Sequence, residues 1–157
     1  MKRVLAEFKV PGKPHGKALK VTKVGKHGRI SPTKESVRYM DLTATCASVS
    51  NLRVQDGTCL VADIEVVVRR PLRPYGKKDT GARLRCRSKP DVDNVSKAIL
   101  DGLRKWFDDK DVTDEHILKR YADPGEEEHV KVTISAVPVE LDRREDPTQC
   151  SIEPLDK

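Results

Sequence analysis

Apolar residues recur every second position at the start of the chain. Val4, Ala6, Phe8 and Val10 keep that spacing through Glu7 and Lys9 and stop at Pro11-Gly12, which predicts a half-buried strand closed by a turn. From Lys13 to Arg29 lysines recur between Gly12, Gly16, Gly25 and Gly28 with little apolar period, and a flexible basic loop is expected. Ser31-Pro32 reads as an N-cap followed by a first-turn proline, and Val37, Met40, Ala44 and Ala47 recur at helical spacing, so a helix should run to about Ser48. Leu60 to Val68 is rich in β-branched residues between Asp56-Gly57 and Pro71 and predicts a central strand.

The second half is patterned more sharply. A polar loop from Pro71 to Ala82 carries Lys77 and Lys78 near its tip, and a short extended piece follows through Leu84 and Cys86. Pro90-Asp91 opens the clearest helix, in which Val95, Ala98, Ile99, Gly102, Leu103 and Trp106 form a single apolar stripe. Two strands, near Ile117 to Ala122 and Val130 to Val137, should flank Pro124-Gly125 and an acidic turn, and the polar segment from Leu141 should be a frayed tail. The succession β-α-β-β-α-β-β predicts an α+β fold, a mixed β-sheet with two main helices. A single domain is expected over residues 1–140, with a tail over residues 141–157.

Composition adds two constraints. A chain of 157 residues suits one core that removes roughly two-thirds of the unfolded surface from water. With aromatics at only 4%, that core must be built from Val, Leu, Ile and Ala. The net charge of +6 is uneven: through Arg38 there are eleven Lys and Arg against Glu7 and Glu35. Such a face attracts polyanions, with phosphate-backbone binding the obvious use and a solvated, solubilising surface the alternative. Cys46, Cys59, Cys86 and Cys150 have no zinc-site spacing and read as reduced thiols. No apolar run is long enough to cross a membrane and the first residues lack a signal-peptide pattern, so a cytoplasmic protein is expected.

Against this basic background, seven aspartates fall between Lys89 and Asp114. On a helix, Asp93, Lys97, Asp101 and Arg104 share the face opposite the apolar stripe, with Asn94 at its border and Asp91 at the N-cap; Asp108 and Asp109 follow the helix end. Carboxylates held close together repel unless a cation neutralises them, and hard oxygen donors without nearby His or Cys point to magnesium or manganese. Taken singly, Asp91 is an ordinary N-cap, Lys97 and Asp101 an i, i+4 ion pair, and the acids from Asp108 a solvated loop. Taken together, acids gathered around an Asn and a Lys in a basic chain favour a metal site for phosphodiester hydrolysis.

The ordered set Lys89-Pro90-Asp91-Val92-Asp93-Asn94, Lys97, Leu100-Asp101-Gly102-Leu103, Asp108-Asp109 and Val112 resembles the signature of RusA-like Holliday junction resolvases. Weaker similarity covers Phe8 to Pro14, Ser31-Pro32 and Lys119, and extends to about Val139. The resemblance implies a homodimer of α+β subunits that binds four-way DNA junctions and makes paired nicks in a magnesium-dependent reaction, in which manganese can substitute. By position it makes Asp91, Asp93 and Asp109 the essential acids, with Asp108 as a further metal ligand and Lys97 as the essential lysine.

Asn94 and Asp101 would support them, Asp101 as an outer-shell group or a partner for Lys97. Lys13, Lys17, Lys20 and Lys23 in the first loop, Lys77 and Lys78 in the second, and Arg85, Arg87 and Lys89 before the helix would bind DNA phosphates. Two other readings stay open: a metal-dependent nuclease on other branched DNA or RNA, and a non-catalytic DNA-binding protein on the same scaffold. A prenyl-transfer site at Asp108-Asp109-Lys110-Asp111 is disfavoured by spacing and by the strand content.

Overall fold

The alternating and β-branched runs settle into one mixed sheet. In the computed structural model, which describes residues 1–24 and 26–140, its strands are β1 (Arg3–Pro11), β4 (Cys59–Val68), β5 (Val112–Tyr121) and β6 (His129–Val137). Their order is β1-β6-β4-β5. β6 lies antiparallel to both β1 and β4, whereas β5 runs parallel to β4. Parallel neighbours need a crossover, and the helix α2 (Val92–Gly102) supplies it, which lays α2 across the sheet. The other helix, α1 (Lys34–Val49), shares that side, and a separate ribbon is formed by β2 (Leu19–Val24) and β3 (His27–Pro32). The expected tail over residues 141–157 lies outside the described residues.

The core fills the space between the sheet and the two helices. Phe8 and Val10, Leu60 to Val66 in alternation, and Val130, Val132 and Ile134 are buried against Ala47, Val95, Ala98, Ile99 and Leu103. The helices cross where Gly102 has no side chain: a Cβ there would stand 2.8 Å from the Met40 carbonyl oxygen and 2.9 Å from the Thr43 Cβ. On the opposite face Arg120, only 6% exposed, is held by Glu65 at 2.7 Å and by Glu126 at 2.6 and 2.8 Å. Arg70 binds Asp79 through its Nε at 2.6 Å and closes the loop that packs there. That arginine holds the Asp79 carboxyl down at about 2, helped by the Gly81 N–H.

The fold is the expected α+β arrangement, with the second extended piece present as one bridge between Arg85 and Arg120. Several local expectations change. The segment read as a flexible basic loop is largely the β2–β3 ribbon, whose two-residue alternation the lysines conceal. Ser31 and Pro32 end β3, and Thr33 is the N-cap of α1, accepting the Ser36 N–H at 3.2 Å. α1 buries Ser36, Tyr39, Thr43 and Ala47 and leaves Val37 exposed; the Ser36 and Thr43 hydroxyls, satisfied by neighbouring groups, can enter a core. In β1 the register shifts between Val4 and Ala6, and the extra residue turns Val4 to solvent while Ala6, Phe8 and Val10 face the core. α2 stops at Gly102, short of Trp106, and β5 begins at Val112 rather than near Ile117.

Cys46, Cys59 and Cys86 are free thiols. Among the described residues no helix is long and apolar enough to cross a membrane.

Candidate active site along the second helix

Asp91 takes the extended backbone of an N-cap, and its carbonyl accepts the Val95 N–H at 3.1 Å. Its carboxylate makes no capping hydrogen bond. Asp93 lies in the first turn, and the Lys97 ammonium stands 3.5 Å from its carboxylate. Asp91, Asp93 and Lys97 are all exposed, so one end of α2 presents two acids and an ammonium to solvent. The helix amino terminus adds a partial positive charge that favours anionic groups at this end.

Two elements fix that end. The Lys119 ammonium, on β5, donates to the carbonyl oxygens of Ser88 at 2.6 Å and Pro90 at 3.0 Å, pinning the chain just before Asp91. From the other side the Lys17 N–H donates to the Asn94 carbonyl at 2.8 Å, and Gly16 packs so close that a Cβ would meet the Asn94 Cβ at 3.0 Å. Farther along α2 the buried Ser96 hydroxyl binds Glu115, whose carboxyl is pushed up by burial. Glu115, Ile117 and Lys119 pair with Ala62, Ile64 and Val66, so they occupy the sheet face turned toward the helix.

The other end of α2 carries a chain of ion pairs. The Asp101 side chain is 8% exposed; its Oδ2 accepts Lys17 at 2.6 Å and its Oδ1 accepts Arg104 at 2.8 Å. Arg104 also reaches Asp109 at 3.6 Å. Asp109 opens a short 3-10 turn through Asp111, whose carboxylate accepts the Asp108 N–H at 2.9 Å; Asp108 pairs with Lys110 at 3.5 Å.

The helix therefore sorts the expected residues. Asp91, Asp93 and Lys97 stand at one end, and Asp101 and Asp109 at the other, with Asp93 and Asp101 about 12 Å apart along the axis at 1.5 Å per residue. Within one chain, no three His, Cys, Asp or Glu side chains among the described residues form a group able to hold a metal ion. Asp101 pairs with Lys17 and Arg104, while Lys97 pairs with Asp93 instead. Magnesium nonetheless suits the Asp91 and Asp93 donors: it binds through one or two carboxylates and takes its other ligands from water and substrate phosphate. The free carboxylate at the N-cap is the observation that fits it.

Of the basic residues, Lys13, Lys20, Lys23, Lys77, Lys78, Arg85, Arg87 and Lys89 are exposed, and none is paired with an acid among the described residues. Lys17 is different, since its ammonium is engaged by Asp101. Arg87 lies 6.0 Å from the centre of the Tyr75 ring. The ribbon has one face with Leu19, Val21 and Ile30, all exposed, and another with Lys20, Thr22 and Arg29.

Sequence reading placed Arg104 on the polar face of α2 without giving it a partner, missed the Ser96–Glu115 contact, and gave Lys119 no structural task. Lys119 left a signal in its alternation with Ile117, which places both on one side of a strand, and Arg104 in its i, i+3 spacing from Asp101.

Compared with known proteins, residues 11–135 match a family model described as Endodeoxyribonuclease RusA, a span that holds the ribbon, both helices and all the acids of the site. No curated protein matches the chain.

Proposed function

Because the chain belongs to the RusA endodeoxyribonuclease family, we propose that it is a magnesium-dependent endonuclease that resolves four-way (Holliday) DNA junctions by paired symmetric nicks, in DNA recombination and repair. The observation that carries this reading is the open end of α2, where Asp91 and Asp93 stand beside Lys97 with the Asp91 carboxylate free of any capping bond. An acid that capped its own helix would be explained by stability alone. This one is available to a ligand.

Asp91 and Asp93 would hold magnesium, or manganese in its place, with Asp109 as the third acid and Asp108 beside it. Bound there, the metal would lower the pKa of a water molecule and neutralise charge on the scissile phosphate. Lys97 supplies an ammonium to the phosphoryl oxygens as negative charge gathers on them. Asn94 orients a neighbouring carboxylate or water through its side-chain amide, its backbone carbonyl being taken by Lys17. Lys119 keeps the Asp91 backbone in place from below.

Because one chain keeps Asp109 at the far end of α2, a homodimer is the assembly that would bring it to the Asp91–Asp93 pair. A two-fold dimer also matches the approximate symmetry of a four-way junction and places equivalent sites at related phosphates. Lys13, Lys20, Lys23, Lys77, Lys78, Arg85, Arg87 and Lys89 grip the backbone without reading sequence. Free thiols suit a cytoplasmic protein.

The decisive experiment is Asp91→Asn on a fixed synthetic junction with and without magnesium. Loss of nicking with junction binding intact supports the reading; normal cutting by the variant removes it. Matched fork, flap and hairpin substrates separate junction resolution from cleavage of other branched nucleic acids, and symmetric nicks confined to the junction are expected. Absence of any turnover in the unaltered protein would leave a DNA-binding module.

A further inference from the structure

Asp101 is an acid in an unusual place. Its carboxylate is almost wholly covered, yet it sits on the polar side of α2 with no role in capping or in the exposed end of the helix. A buried carboxylate is costly unless its oxygens are matched by donors, and here each oxygen has one: Lys17 on Oδ2 and Arg104 on Oδ1. Lys17 belongs to the root of the ribbon, two residues before β2 begins at Leu19.

The ribbon itself has little else to steady it. Leu19, Val21 and Ile30 are more than half exposed, and a two-stranded hairpin is marginal on its own. Its direction is therefore set at the root, where Gly16 and Lys17 lie on Asn94, Ala18 exchanges hydrogen bonds with the Ser36 hydroxyl, and the Thr33 N–H donates to the Ala18 carbonyl. Of these contacts, the Asp101–Lys17 pair is the charged one, and it joins the root to the same helix that carries Asp91, Asp93 and Lys97.

We propose that Asp101 is a positioning residue: by clamping Lys17 it holds the basic ribbon in fixed register with the acid-bearing end of α2, so that DNA gripped by the ribbon delivers its phosphate to that end. The proposal rests on the nuclease reading for its consequence, and on the contacts alone for the clamp. Lys17 is then a strut rather than a phosphate contact. Releasing it to DNA would strip one of two donors from a buried carboxylate, which keeps the pair intact when DNA binds.

The test uses the full chain with Lys17→Met, Asp101→Asn and Asp101→Glu. In the protein without DNA, amide hydrogen exchange over residues 17–24 and 27–32 should speed up about ten-fold in Lys17→Met and Asp101→Asn, with partial recovery in Asp101→Glu. Junction affinity measured without magnesium should stay within about two-fold, with an unchanged salt slope, because no phosphate contact is lost. On a fixed junction the nicks should spread over neighbouring phosphates instead of falling at one position. The double variant should be no worse than either single one, as expected of two residues acting through one contact.

A salt slope reduced by about one, with exchange and nick positions as in the unaltered protein, makes Lys17 a phosphate contact and overturns the proposal. If the unaltered protein cuts no junction, the nuclease reading fails while the exchange measurement still decides the clamp. Lys17→Met, at a half-exposed position, carries the test should Asp101→Asn not fold.

Discussion

The Lys97 ammonium lies 3.5 Å from the Asp93 carboxylate, one turn farther along α2, with both side chains more than 60% exposed. A pair so open contributes little to stability, at most a few tenths of a kcal/mol. What it does achieve is to hold an ammonium beside a carboxylate that a metal would share. Lys97→Met should therefore leave the unfolding midpoint and junction affinity nearly unchanged while lowering the single-turnover nicking rate by about 100- to 1,000-fold, the range seen when one donor to a developing oxyanion is removed. Lys97→Arg should recover part of the rate. Nicking by Lys97→Met at the normal rate would take the lysine out of the reaction.

Lys119 acts one step farther back. Its two bonds to the Ser88 and Pro90 carbonyls hold the segment preceding Asp91, where the Cys86 thiol also donates to the Ser88 carbonyl. Lys119→Met should cost about 1–3 kcal/mol, since two hydrogen bonds from a charged group are lost and the Pro90 carbonyl loses its side-chain donor. The consequence for catalysis should fall on kcat rather than on KM, because Asp91 is displaced while the exposed basic residues proposed to grip DNA stay in place. Steady-state nicking across a junction titration separates the two, and a pure KM effect would place Lys119 on the DNA surface instead.

How far the sequence could be read depended on whether a residue's neighbours were close along the chain. The stripe Val95, Ala98, Ile99, Gly102 and Leu103 is buried as its spacing predicts, because a helix period is a local property and α2 lies directly on the sheet. The same reasoning misjudged α1, where Ser36 and Thr43 are buried and Val37 is not. Besides the local Thr33 hydroxyl, the Ser36 hydroxyl is satisfied by the chain returning at Ala18 and His15, and no local pattern encodes that return. The acids were legible as a group since they crowd one short segment. Their order along α2 was legible too, but their pairing was not, because it depends on Lys17 returning from the first loop to Asp101 and on Asp109 turning back to Arg104.

The buried Arg120 gives a prediction about acid stability. Its hydrogen bonds pull the Glu126 carboxyl from 4.5 down to about 2, with the Asp123 N–H adding to the effect against the opposing influence of burial. A carboxyl with a folded value below its unfolded one stabilises the fold fully above the unfolded value, and that contribution is lost as pH falls through the folded value. Glu126→Gln should therefore lower stability by about 1–2 kcal/mol at neutral pH, the worth of hydrogen bonds to a charged group. The gap between variant and unaltered protein should narrow below about pH 4.5 and close near pH 2. Urea unfolding across that range measures it, and a gap independent of pH would assign the loss to packing.

The last prediction concerns Asp109, which Arg104 keeps at the far end of α2 in a single chain. If the third acid reaches the Asp91–Asp93 pair from a second subunit, Asp91→Asn and Asp109→Asn must each be inactive alone, yet complement one another. In a heterodimer of the two, one site carries both substitutions and the other carries neither. Random exchange makes about half of the dimers mixed, so about a quarter of all sites should regain activity. Such dimers have one working site, and they should nick a junction on one strand without resolving it. Gel separation of nicked and resolved products reads both consequences at once. Full inactivity of the mixture, after exchange of subunits has been verified with differently tagged chains, would mean that Asp109 serves its own chain and that the Asp108–Asp111 turn has to move toward the amino end of α2 before cutting can begin.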